Sequence, residues 1–238
     1  MCLGLQGLGR LVGSAYIILM ERYPKNVSHR PLDHFPTHIS YRLAGSLPKA
    51  IVEKLKRAHL QEKEALKNRL HDFTGRHYEE AYREEMFLID ARFELATEEA
   101  LHTIKHGPYH LENELVAKEV INSWCFLQQK GLVYVYVICV MSNHVHVILR
   151  APEGEDPVPL GPIMSRHKTF TSKACKRMLN LPEGPFWHAR YFDRTVRRGK
   201  FERVMWYVLN NPVKAGLVND WRGWPATYLN PDYDLLFR

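Results

Sequence analysis

The chain has 238 residues, 45% of them hydrophobic and 11% aromatic, which suits one large domain and excludes a compositionally disordered polymer. Its formal charge of +7 is uneven: residues 150–238 carry 15 Lys and Arg against 9 Asp and Glu, while 1–149 carry 18 against 17. A basic end fits either a polyanion partner or a plain solvated surface, and the four scattered cysteines, Cys2, Cys125, Cys139 and Cys175, form no zinc or redox motif and suit a reducing cytoplasm.

From the N-terminus, the stretch from Leu3 to Leu19 is apolar but broken by Gln6 and Arg10. It falls short of the roughly 20 apolar residues of a membrane span, and no small-residue cleavage site follows. The reading is a poorly ordered extension over 1–34, with Met20 as an alternative start, no membrane association and a cytoplasmic location. The first strand is expected over His38–Ala44, where alternation puts Ile39, Tyr41 and Leu43 on one face. Lys49 to about Leu70 reads as a charged helix with a thin stripe of Ile51, Leu55, Ala58 and Leu60. Two shorter helical pieces follow, near Tyr78–Glu85 and Glu98–Lys105, around an apolar run Met86–Ile89. Residues 49–109 are taken as an insertion beside the main sheet, too acidic for most of its surface to meet DNA.

Leu115, Val116, Val120, Trp124 and Leu127 recur at helical spacing over 111–129. Val133–Val140 is β-branched and aromatic throughout, and Met141–Asn143 is a tight turn into a second strand, His144–Leu149, giving an antiparallel hairpin. An acidic loop leads to a basic helix, Ile163–Leu179, then a final strand near Tyr191–Val196 and a helix over Phe201–Asn210 that Pro212 ends. The order implies an α+β fold of ferredoxin-like, split βαβ type: an antiparallel sheet with helices on one face, a C-terminal helix and a helical insertion. The domain is expected over 35–225, with a tail over 226–238.

His144 and His146 are two apart on a strand, so both imidazoles project from one face, and two such rings are ready ligands for a divalent metal. Among 13 histidines a chance pair is the simpler alternative. Tyr207 and Asn211 are four apart on a helix and share a face. An amide oxygen can ligate a hard cation, and a phenol beside that cation is a candidate nucleophile. The structural alternative is a core tyrosine and a helix-ending asparagine. Taken together, the two sets supply three ligands and a nucleophile for phosphodiester chemistry.

The runs MSNHVHVIL (Met141–Leu149) and FWHARYFDRTVRR…YVLNNPVKAGLV (Phe186–Val218) resemble those of the HUH single-tyrosine transposases, in particular the REP-associated tyrosine transposases and their IS200-like relatives. The resemblance covers about 36–45 and 110–225. It implies His144, His146 and Asn211 as ligands of Mg²⁺ or Mn²⁺ and Tyr207 as the catalytic nucleophile. It further implies a single-stranded, hairpin-forming DNA substrate, a 5′-phosphotyrosine intermediate, and either a monomer or a homodimer. Arg166, Lys168, Lys173, Arg190, Arg194, Arg197 and Lys214 are candidate DNA contacts, and Trp187, Tyr191 or Phe192 candidate stacking surfaces, although Phe192 and Trp206 fit core packing better. Two other functions compete with transposase-like strand transfer. One is a domesticated hairpin-DNA-binding protein without transposition. The other is a small phosphoester hydrolase, for which no Asp-rich cluster or phosphate-cradling glycine loop speaks.

Overall fold

The computed structural model of the protein describes residues 30–70, 76–154 and 156–237. The sequence expectations for 1–29 therefore lie outside the described residues. Five strands form one antiparallel sheet: β1 (Thr37–Arg42), β2 (Tyr134–Val140), β3 (His144–Arg150), β4 (Phe192–Thr195) and β5 (Thr227–Leu229), in the order β4-β1-β3-β2-β5. The first four have the order of the ferredoxin-like βαββαβ unit, with α3 (Glu114–Gln129) and α4 (Leu160–Met178) as its crossovers.

Alternation in the strands builds two different faces. Ile39, Tyr41, Leu43, Val145, Val147 and Leu149 pack with Val116, Val120 and Trp124 of α3 and with Leu160, Ile163 and Met164 of α4 into the larger core. The opposite face carries His38, Ser40, His144 and His146. At its β2 end a second core gathers Tyr136, Cys139 and Ile148 under Met205, Val208 and Leu209 of α5 (Phe201–Leu209). A bulge between Val135 and Val137 turns both Tyr136 and Val137 toward this second core. Helices thus cover both faces, not one as the element order suggested. The reason is α5, whose apolar stripe needs cover that the α3–α4 face, already filled, does not offer.

The segment 49–109 differs most from expectation. It folds as α1 (Lys49–Arg69) followed by one continuous helix, α2 (Arg76–Thr103), in place of two short pieces. Nothing in 76–103 breaks a helix: the run contains no Pro or Gly. Ala58 and Leu60 of α1 are exposed, and only Leu66 of that helix is buried. Instead of a broad apolar seam, polar contacts tie α1 to α2: Arg92 to Glu62, Lys63 to Asp90, and His59 stacked on Phe93. α2 in turn lies across the β4–β1–β3 part of the histidine face, where Phe93 meets Phe192 edge to face.

Other boundaries move for identifiable reasons. Leu32, assigned to the extension, is fully buried and exchanges backbone hydrogen bonds with Val158 across the acidic loop, 2.8 Å each way. The expected tail adds strand β5, whose Thr227–Leu229 pairs with β2, and buries Phe237 in the second core. Leu115 is 67% exposed because it falls in the first turn of α3, where Asn113 accepts from the N–H groups of Leu115 and Val116 and caps the helix. Cys139 and Cys175 are buried and Cys125 is only half-buried. α5 stops at Leu209, and Asn211–Lys214 forms a separate short helix, α6, with Pro212 near its start. Among the described residues no helix is long and apolar enough to cross a membrane.

Candidate active site

β3 carries His144 and His146 side by side on the second face, ring centroids 4.9 Å apart and both essentially inaccessible. β1, pairing Ser40 with His146, places His38 next to them. α5 adds the half-buried Tyr207, whose ring stands edge-on to His146 at 5.9 Å and to His38 at 5.8 Å. α6 contributes Asn211, and α2 contributes Glu94, Glu98 and His102, all from the face of the insertion that the sheet covers.

The hydrogen bonds fix the protonation of both imidazoles. The Asn143 amide donates to the Leu101 carbonyl at 3.0 Å, so its oxygen is the atom that faces Nδ1 of His144 at 2.7 Å. Nδ1 must then carry the proton, which leaves Nε2 of His144 as a bare lone pair. On the His146 side, Glu94 pairs with Arg194. Its Oε1 also lies 3.4 Å from Nδ1 of His38, a contact that favours the proton on that nitrogen. Nε2 of His38 is consequently an acceptor and takes the proton on Nδ1 of His146 across 3.1 Å, which leaves Nε2 of His146 bare as well. Burial holds the rings neutral: it lowers His144 to about 3, His146 well below the usual range and His38 less far. The neighbouring His102 and, for His146, His144 and His38 add to the same effect. The His38–Glu94 contact therefore joins a neutral ring to an acidic side chain and is not an ion pair.

Glu98 completes the cluster. Its Oε1 accepts from Nδ2 of Asn211 at 3.2 Å and lies 3.7 Å from Lys214 Nζ. Its Oε2 has no hydrogen-bond partner and lies 4.0 Å from Nε2 of His146. Burial raises Glu98 to about 7 against the lowering influence of Lys214 and Asn211. Asn211, fully buried, spends its amide on Glu98 and points its oxygen at Nε2 of His102, 3.0 Å away. Nε2 of His144, Nε2 of His146 and Oε2 of Glu98 are thus three buried, unpartnered electron-pair donors on one face. Unsatisfied groups of this kind are costly and call for a ligand. Two neutral imidazoles and a carboxylate fit a divalent cation in chemical type. Among the described residues, however, no three or more His, Cys, Asp or Glu are drawn together tightly enough to hold a metal ion as they stand.

The structure therefore gathers His144, His146, Tyr207 and Asn211 in one place, along with Lys214, whose Nζ lies 4.7 Å from the Tyr207 ring centroid. The remaining candidate DNA contacts divide into two groups. Arg197 is bound by both oxygens of Glu84, at 2.7 and 2.8 Å, and stacks on Phe87, while Arg194 is held by Glu94. On the other side of the sheet, Lys168 and Lys173 line a cleft of about 880 Å³ along α4, with Lys176 and Arg177 nearby, that shares no residue with the histidine cluster. Lys168 donates to the His188 and Ala189 carbonyls, and burial lowers it to about 8. Arg166, Lys173 and Arg190 are exposed.

Of the aromatic candidates, Trp187 is a core residue whose Nε1 donates to Thr171, which removes it as a stacking surface. Trp206, expected in the core, is 38% exposed and leans on Phe237, because the buried stripe of α5 runs through Met205, Val208 and Leu209. Sequence reasoning missed His38, Asn143, Glu94, Glu98 and His102. The only trace of His38 was its place on the polar side of an alternating strand. The α2 residues carried no such trace, since a carboxylate in a charged helix looks like solvated surface.

Residues 101–211 match the family model for IS200-like transposases. A protein of Haemophilus influenzae named as a REP-associated tyrosine transposase is 24% identical over 102 residues, which is 40% of this chain; the match spans 58% of the relative's length. Among solved structures, a REP-associated tyrosine transposase bound to a REP hairpin aligns over 86% of this chain and 82% of its own, at TM-score 0.46 and 13% identity. A protein of Deinococcus radiodurans named as a transposase aligns over 80% of this chain and 97% of its own, at TM-score 0.30 and 11% identity. The likeness to IS200-like transposases thus lies over 101–211, the stretch that runs from the end of α2 through the histidine strand to Asn211.

Proposed function

We propose that the chain is a metal-dependent single-stranded DNA endonuclease and strand transferase that acts through Tyr207 on hairpin-forming DNA of the REP type. The observation that carries this reading is the meeting of Tyr207 with a histidine pair whose Nε2 atoms are both bare and buried. Mg²⁺ or Mn²⁺, when bound there, would polarise the scissile phosphate and stabilise the charge that grows on it. His144, His146 and a side-chain oxygen from α2 or α6 would hold the cation, while Asn143 and the Glu94–His38 pair keep the two rings in the ligating tautomer.

Tyr207 is the nucleophile in this scheme. Its oxygen forms a bond to phosphorus, the phenol proton is lost, and the phosphorus–O3′ bond breaks. The products are a 5′-phosphotyrosine and a free 3′-hydroxyl, which takes up a proton. A second 3′-hydroxyl reverses the same step on the phosphotyrosine, so strands are joined without ATP. Lys214, beside the Tyr207 ring, supplies a positive charge for the phosphate. The hairpin partner is supported by what the related proteins are named for.

The test is incubation with a panel of hairpin-containing single strands and Mn²⁺ or Mg²⁺, followed by denaturing electrophoresis. A covalent protein–DNA adduct that vanishes in Tyr207→Phe is expected. An adduct that survives Tyr207→Phe, or none across the panel, refutes the reading. Metal-insensitive hairpin binding without cleavage would point to the domesticated DNA-binding alternative.

A further inference from the structure

We infer that Glu98, from the helical insertion, is the third protein ligand of the divalent cation at the histidine pair, and that Asn211 positions Glu98 instead of ligating. This rests on the proposed metal-dependent reading of the same site and deepens it, because it makes the insertion part of the chemistry.

Asn211 has a single side-chain oxygen, and that oxygen already faces His102 Nε2 at 3.0 Å. Its amide nitrogen, which cannot ligate a cation, is committed to Glu98 Oε1. Glu98 has the complementary pattern. One oxygen is held by Asn211 and approached by Lys214, and the other is bare and stands on the His146 side. The separation of 4.0 Å between Glu98 Oε2 and His146 Nε2 is at the outer limit of what two donors can share across one cation, since bonds of about 2.0–2.2 Å reach it only near a straight line, so Glu98 must close toward the histidines when the cation binds.

Charge supports the same assignment. Two neutral imidazoles and an amide leave a divalent ion uncompensated inside the protein, whereas a carboxylate offsets half of its charge. Glu98 is also the only unpartnered carboxylate oxygen among the described buried side chains. The helix that delivers it is anchored next to the site by the Leu101 carbonyl, which accepts from Asn143, the residue that sets the His144 tautomer. α2 therefore reaches both the ligand set and its supporting hydrogen bonds.

The experiment is isothermal titration of Mn²⁺ into the full-length protein without DNA, comparing wild type with His146→Ala, Glu98→Gln, Glu98→Asp, Asn211→Ala and the Glu98→Gln/Asn211→Ala double variant. Wild type should bind and His146→Ala should not. Glu98→Gln should weaken binding by at least tenfold, and Glu98→Asp, which keeps the charge, should weaken it less. Asn211→Ala should cost less than Glu98→Gln, and the double variant should bind no worse than Glu98→Gln, because Asn211 acts through Glu98.

If Glu98→Gln and Glu98→Asp both bind Mn²⁺ as wild type does, or if Asn211→Ala loses more than Glu98→Gln, the assignment of Glu98 is wrong while the histidine site stands. If wild type does not bind, or His146→Ala binds equally well, both the assignment and the metal-dependent reading are wrong. Circular dichroism of each variant separates lost binding from lost fold, and Glu98→Asp covers the case in which Glu98→Gln is unfolded.

Discussion

The Asn143 side-chain oxygen lies 2.7 Å from Nδ1 of His144, and the Asn143 amide is tied to the Leu101 carbonyl of α2. One asparagine thus sets which nitrogen of a strand histidine faces the site and fastens the insertion to the sheet. Asn143→Ala should keep the sheet while freeing the His144 ring. Loss of a supporting partner to a metal-ligating histidine typically costs 10–100-fold in affinity or activity. A fall of that size is expected in Mn²⁺ affinity and in the yield of the covalent adduct. Unchanged titration curves would show that the tautomer is fixed in some other way.

His38 is the corresponding support for His146, through the 3.1 Å contact between Nε2 of His38 and Nδ1 of His146. His38→Ala removes the acceptor and leaves that proton buried without a partner. Adduct formation should drop about 10–100-fold, and the loss should be smaller in His38→Gln, whose side-chain oxygen can accept the same proton. Rates for the two variants, measured on one hairpin substrate, separate this role from bulk. Equal losses in both would assign His38 to packing.

Two α2 carboxylates hold arginines that were candidate DNA contacts: Glu94 pairs with Arg194 and Glu84 with Arg197. Glu84 holds Arg197 with both oxygens on the protein surface, a pair whose worth for stability is only about 0.2–1 kcal/mol. Glu84→Gln should leave the melting temperature nearly unchanged and raise single-stranded DNA affinity severalfold at low salt. If Arg197 then meets a phosphate, the slope of log affinity against log salt steepens by roughly 0.7 per contact. Fluorescence anisotropy between low and moderate salt reads this directly. Weaker binding in the variant would mean that Glu84 orients Arg197 for DNA instead of withholding it.

His167 gives the fold an acid sensitivity unconnected with the histidine site. It is fully buried in the larger core. Its Nε2 lies 2.6 Å from the Tyr41 hydroxyl and its Nδ1 2.9 Å from the Ser123 hydroxyl, and burial lowers it to about 3. Above an unfolded value near 6.5 both states hold a neutral ring and the residue adds no pH dependence. Between about 6.5 and 3 only the unfolded chain takes the proton, so stability is lost as pH falls through that window. The slope is at most about 1.4 kcal/mol per pH unit, or about 2 kcal/mol between pH 6.5 and 5. Urea unfolding at pH 7 and pH 5 should show that difference shrinking in His167→Gln, and an equal pH dependence in both proteins would sink the attribution.

The larger core offers a plain stability check. Leu149 is fully buried on β3 and faces α3 and α4. Leu149→Ala should cost about 2–5 kcal/mol in denaturant unfolding at neutral pH. Because its side chain points away from His144 and His146, the Mn²⁺ affinity of the folded variant should stay within about twofold. A stability loss well under 1 kcal/mol would contradict the burial.

Where apolar and polar residues alternate, the sequence was legible. Ile39, Tyr41 and Leu43 alternate with His38, Ser40 and Arg42 and so share the face of the larger core, and the hairpin around Met141–Asn143 follows from two β-rich runs joined by a tight turn. The common face of His144 and His146 follows from strand geometry alone, and the approach of Tyr207 follows from the resemblance. Less legible were α2, read as two pieces because its composition is mixed, and β5, whose three residues are too few for a period to register.

The sequence by itself determined the antiparallel sheet, its crossover helices and the two residues of each candidate pair, because those depend on local periodicity and on spacing along one element. Only the tertiary structure decided that α2 crosses the histidine face and brings Glu94, Glu98 and His102 to within hydrogen-bonding or ionic reach of His38, Asn211 and His146. The reason is physical. A buried carboxylate and a solvated one are the same letter in a charged helix, and what distinguishes Glu98 from its neighbours is which side of α2 the sheet covers. That choice is made by packing between segments about 50–110 residues apart in the chain, and no local pattern records it.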